Sequence, residues 1–234
     1  MHHDELLARV RALRAEGHSP KSISRALRVR PAIIAPLVRE VAAAEAPAEP
    51  AVVGCWVSPG WSMNLTVSGH PEWPDVDTSA HGLDGVASVA VARRHRSRRV
   101  SVCGYLVDVY CLGVKNALGP RVLDELDLPG FLRAYFGPFD EIGGPLPAPL
   151  ELARHLVWGA VDHARGLGFE PAADFGPAAG HLGGWEEPSA ITFGRNGTPF
   201  YLAGPYDRPH AVLRTLRRTV GEGNFEYAVP VTVM

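Results

Sequence analysis

Val86-Ala87-Ser88-Val89-Ala90-Val91-Ala92, then the polar residues 93–99, then Val100-Ser101-Val102-Cys103-Gly104-Tyr105-Leu106-Val107-Asp108-Val109-Tyr110: this stretch decides the fold. Two runs rich in β-branched residues flank a short polar turn, which predicts a β-hairpin. Working back from it, residues 51–57 and 63–67 read as strands around the Pro59-Gly60 turn, and residues 70–84 read as a loop. Working forward, residues 112–118 read as the start of a helix and 129–136 as a short one. Residues 148–167 carry the longest helical pattern. Leu152, Leu156, Gly159 and His163 lie along one stripe, and Gly166 and Gly168 supply the stop. Residues 190–193 and 199–203 bracket Asn196-Gly197, a strong turn dipeptide, and predict a second hairpin. Asp207 then caps a helix running to about Val220, and residues 225–233 close as a strand. Hairpins alternating with single helices predict an α+β domain with a largely antiparallel sheet.

Composition changes near residue 42. Residues 41–51 are an Ala/Glu/Pro run with almost nothing to bury, a semi-rigid spacer. The expected organisation is a small module at residues 1–45, a linker at 46–51 and an α+β domain at 52–234. Charge supports the division. The first 45 residues hold 8 Arg and Lys against 5 Asp and Glu, a net +3, and the remainder holds 15 against 20, a net −5. Units of opposite sign are expected to differ in partner.

The small module reads as three helices. Leu6, Leu7, Val10 and Leu13 recur at helical spacing before a stop at Gly17. Ser19-Pro20 combines an N-cap with a proline at the first helical position, opening a second helix that buries Ile23, Ala26 and Leu27. Pro31 opens a third, carrying Ile33, Ile34, Leu37, Val38 and Val41. The run from Ser19 to Val38, "SPKSISRALRVRPAIIAPLV", resembles the helix-turn-helix of homeodomain-like bacterial DNA-binding proteins. That resemblance implies that Ile23 and Ala26 pack the second helix, that Val29 plugs the turn, and that residues from Arg30 onward enter the major groove. Lys21, Arg25, Arg28, Arg30 and Arg39 would then neutralise phosphates. Two residues depart from the pattern. Arg28 stands where the turn usually has Gly, and Pro36 lies inside the reading helix, where it removes a hydrogen bond and is expected to bend it. In the rest of the chain, "YLVDVYCLGVKN", "GLGFEPAADF" and "FYLAGPYD" resemble an uncharacterised bacterial family, and that resemblance implies no activity.

Few constellations carry chemistry. Arg93, Arg94, Arg96, Arg98 and Arg99 crowd the hairpin turn, either as a second electrostatic foot for nucleic acid or as a solvated loop. Asp108 lies in an apolar strand run, where a carboxylate needs a partner such as Lys115, or exposure on a solvent face. Glu151 and His155 are four apart on the long helix and therefore share a face. Cys103 and Cys111 are too far apart along one strand to share a metal and read as small buried hydrophobes. Three cysteines without a CxxC pair identify neither a disulfide scaffold nor a zinc site, and no motif for a cofactor is found.

No run approaches the length of a spanning helix, and Met1-His2-His3-Asp4-Glu5 is unlike the opening of a signal peptide. The expectation is a cytoplasmic protein that does not engage membranes. Its leading function is DNA binding, with regulation or recruitment through the larger domain and with a protein partner or homodimer. The alternatives are an enzyme acting on nucleic acid through Asp108 with Glu151 and His155, and a protein-interaction scaffold.

Overall fold

The computed structural model describes residues 3–44, 49–75, 85–95, 97–142 and 144–229. The chain divides into two compact units, Met1–Glu49 and Pro50–Met234. Residues 46–48 of the expected linker at 46–51 lie outside the described residues.

The first unit contains α1 (His3–Ala15), α2 (Pro20–Leu27) and α3 (Pro31–Ala44). Ser19 caps α2, its side chain accepting from the Ser22 N–H, with Pro20 in the first turn where a missing N–H costs nothing. The buried core is Leu6, Val10, Ile23, Ile34, Leu37 and Val41, wholly aliphatic, with Leu13, Leu27, Val29 and Val38 packed around it. Two expected core residues are not in it: Ala26 is exposed and Ile33 is 49% exposed. The buried face of α2 passes through Ile23 and Ser24 instead. Helix α3 continues through Pro36, which lies exposed on its outer face.

The second unit is built on a five-stranded antiparallel sheet in the order β5-β4-β3-β1-β6. Its strands are β1 (Val52–Val57), β3 (Val86–Arg94), β4 (Arg99–Asp108), β5 (Gly113–Asp124) and β6 (Leu146–Pro147). The short strand β2 (Thr66–Val67) lies outside it and pairs with β7 (Ile191–Thr192). The deciding hairpin is β3–β4, in register from Val86 opposite Asp108 to Arg94 opposite Val100.

Both faces of this hairpin are covered, and its side chains alternate between two cores. Val89, Val91, Cys103, Tyr105 and Val107 pack with Leu152, Leu156, Val157 and Ala160 of α5 (Leu150–Gly166). Ala90, Ala92, Val100 and Val102 pack with Leu128, Leu132 and Phe136 of α4 (Leu128–Phe136). The unit is thus an α+β domain with helices on both faces of its sheet. Small residues, Ala90, Ala92 and Gly104, sit on the α4 side; a Cβ on Gly104 would come within 2.7 Å of the Tyr135 ring.

Three local expectations are corrected. Residues 112–118 do not start a helix; Gly113 opens β5, and the strand pairs with β4 over nearly its whole length. The second hairpin does not form as a two-strand unit. Around Asn196-Gly197 there is only the bridge Arg195–Thr198, while β7 pairs with β2 and β8 (Phe200–Leu202) pairs parallel with β9 (Glu226–Ala228). The helix between them, α7 (Pro209–Thr219), has Arg208 at its N-cap; Asp207 instead accepts from the Gly204 N–H and from Lys115. A short helix, α6 (Phe175–Ala179), follows α5. Residues 76–84, expected as loop, and 230–233, expected as strand, lie outside the described residues.

Candidate functional site

In the first unit the α2–α3 turn is closed by two backbone features. Arg28 adopts the left-handed conformation, φ 53°, and its N–H and that of Val29 satisfy carbonyls at the end of α2. Ser24 Oγ donates to the Val29 carbonyl at 2.6 Å. Lys21, Arg25, Arg28, Arg30 and Arg39 are all exposed. Hence exposed cations flank the turn, while Ile23, Ile34 and Leu37 stay inside.

The arginine run of the β3–β4 turn is split by the fold. Arg93 is only 4% exposed, and its guanidinium donates to the carbonyls of His181 and Pro50, both at 2.8 Å. Its assignment to nucleic acid is therefore corrected: it ties the hairpin to neighbouring loops. Arg94 pairs with Glu125. Arg98 and Arg99 are exposed, and Arg96 lies outside the described residues.

Asp108 ends β4 and is buried, 5% exposed. Its Oδ1 accepts the backbone N–H of Tyr110 at 3.1 Å and of Cys111 at 2.9 Å, fixing the 108–112 turn. Burial pushes its carboxyl up to about 6, against the opposing pull of those N–H groups and of the Lys115 cation. Lys115 itself donates to Asp207 Oδ2 at 2.9 Å. The motifs around "YLVDVYCLGVKN" and "FYLAGPYD" thus meet in space. Cys111 beside this cluster is buried, as are Cys55 and Cys103; burial raises the thiols of Cys55 and Cys103 to about 12, and that of Cys111 higher still. Such thiols are protonated at neutral pH and poor nucleophiles.

Glu151 and His155 project from the first two turns of α5, away from that cluster. Glu151 lines a cleft of about 700 Å³, bounded by Trp61, Trp73, Glu72, Asp75 and the proline-rich residues 146–149. His155 stands behind this wall, its ring 5.2 Å from both Trp73 and Trp185. The Ala190 N–H donates to His155 Nδ1 at 2.8 Å, so the neutral ring carries its proton on Nε2. Desolvation lowers the His155 pKa, opposed by Glu151 and aided by His70. Two turns further on, Asp162 accepts from the Trp185 indole N–H, and His163 donates to the Tyr110 carbonyl. A smaller cleft of about 430 Å³ lies beside His163 and Asp162, walled by Phe193 and residues 187–189.

Asp108 lines neither cleft, and its partners are backbone amides and Lys115. It is therefore not assembled with Glu151 and His155 into one acid/base centre. The residues missed from the sequence are Trp61, Glu72, Trp73 and Asp75, which come from loops without periodicity. Among the described residues no group of three His, Cys, Asp or Glu is placed to hold a metal ion, and no helix is long and apolar enough to cross a membrane. Comparison with protein-family models, with curated proteins and with solved structures found no match.

Proposed function

We propose that the protein binds DNA through its three-helix unit and that the larger unit conditions this binding by regulation or recruitment. The observation that carries the reading is the closed α2–α3 turn, with Arg25, Arg28 and Arg30 exposed at it and with Lys21 at the start of α2 and Arg39 further along α3 exposed as well. The net +3 of the first 45 residues, within a chain of net −2, agrees with it. The outer face of α3 offers Ala32, Ala35 and Pro36, side chains without a base-reading fork, so the binding is phosphate-dominated and weakly sequence-selective.

The test is a gel-shift titration of the full chain against a short duplex at several salt concentrations. Each lost phosphate contact lowers the salt slope by about 0.9. Arg28→Ala with Arg30→Ala is expected to weaken binding and flatten that slope, with little dependence on duplex sequence. Absence of binding at low salt, or a slope unchanged when all five cations are replaced, overturns the reading. The enzyme alternative draws no support from the position of Asp108, whose carboxylate is engaged in its own turn.

A further inference from the structure

We propose that the larger cleft of the second unit is a binding site for a small organic cation, an ammonium group carried on an apolar or aromatic body. This goes beyond the DNA-binding reading and does not depend on it. The cleft is formed where three separate segments converge: the turn after β1, the loop at residues 70–75, and the β6–α5 connection. Its volume of about 700 Å³ lies within the usual range for a small-molecule site.

Its walls are apolar and held in place. Trp61 and Trp73 are 2% and 6% exposed, so they are set into the protein rather than lying on its surface. The Trp73 ring is stacked on His70, with centroids 3.7 Å apart and planes 6° from parallel, and is backed by His155. Prolines 59, 74, 147 and 149 stiffen the rim, where a flexible chain would lose entropy on ordering around a ligand.

The charge of the lining selects the ligand. Among the described residues, the charged ones along it are Glu72, Asp75 and Glu151, and no Lys or Arg lines it. Asp75 is held by the Gly60 N–H and by the Ser62 hydroxyl, neutral donors that orient the carboxylate without cancelling its charge. Glu151 stands exposed in the first turn of α5 and is one of the residues lining the cleft. An anion would meet three like charges here. Glu72 has His70 Nδ1 at 3.3 Å, and a neutral apolar molecule would bring no cation to Asp75 or Glu151. An ammonium ion with an apolar body satisfies both parts of the lining. The cleft is therefore matched to a ligand opposite in charge to the one the three-helix unit is built for.

The experiment is calorimetric titration of the full chain with 2-phenylethylamine at low salt, beside 2-phenylethanol and 3-phenylpropanoate as neutral and anionic bodies of similar size. The amine is expected to bind about tenfold or more tightly than the alcohol, and the carboxylate not detectably. Glu151→Gln, an exposed position whose replacement leaves folding intact, is expected to weaken the amine several-fold with no change for the alcohol. Glu72→Gln combined with Glu151→Gln removes most of the preference for charge. Equal affinity for amine and alcohol, tighter binding of the carboxylate, an amine affinity indifferent to both variants, or no amine binding at millimolar concentration overturns the proposal. Because nucleic acid is absent from this titration, its failure is separable from failure of the gel shift.

Discussion

At Asp108 a buried carboxylate accepts the backbone N–H groups of Tyr110 and Cys111. Asp108→Ala removes the acceptor of both bonds and is expected to cost about 2–4 kcal/mol in urea unfolding at neutral pH. Asp108→Asn keeps an oxygen for them and removes the buried charge, so it is expected to cost much less than the alanine. The pH dependence follows from the same burial. The folded carboxyl titrates near 6, above the unfolded value of 3.8, so the unfolded chain ionises first as pH rises. The contribution of Asp108 to stability therefore falls between about pH 4 and pH 6, and Asp108→Asn should flatten this part of the profile. Sequence alone marked Asp108 as a carboxylate among apolar neighbours, needing a partner or solvent. It did not give the pairing of Lys115 with Asp207, 92 residues away, because an ion pair of that separation leaves no local pattern. Cys103 and Cys111 were legible as buried hydrophobes, since apolar neighbours along a strand predict burial of a small thiol.

Elements were legible where a repeat was long enough to set the period. The β3–β4 hairpin and α5 span 9, 10 and 17 residues, and each was read in place. Leu156 sits at the centre of the α5 stripe, fully buried against the sheet, and Leu156→Ala should cost about 2–5 kcal/mol in the same unfolding assay. Strand β5 was misread because Leu112, Val114, Ala117 and Leu118 fit a helical spacing as well as a broken strand one. Its signal was Gly113, at φ +68°, where a Cβ would lie 2.9 Å from the Ala160 carbonyl. Gly113→Ala is accordingly expected to destabilise by more than about 1 kcal/mol, read as a lowered urea midpoint. The parallel β8–β9 pair was beyond local reading, because α7 intervenes and its strands are three residues each. In the first unit, Arg28 holds a left-handed conformation that only glycine adopts without penalty. Arg28→Gly should relieve about 1 kcal/mol of strain, seen as slower hydrogen exchange of the α2 and α3 amides.

Across the whole molecule, the division into a basic module and an acidic domain was readable from charge and from the Ala/Pro run, because both are matters of composition. The candidate cleft was not, since its aromatic and acidic residues are brought together from loops by the sheet and α5. The thiols offer a check on the larger unit: Cys55, Cys103 and Cys111 are all buried there. A thiol reagent is expected to leave the native protein unmodified and to label three sites once the protein is unfolded; rapid native labelling would mean that the sheet core opens locally. The aliphatic core of the three-helix unit has a further consequence. Every Trp, Tyr and Phe of the chain lies beyond residue 50. Indole emission and near-ultraviolet dichroism are therefore blind to the first unit, and its melting registers only in helical ellipticity. A heating curve followed at both wavelengths separates the two units without cutting the chain, the difference between the traces belonging to the three-helix end alone.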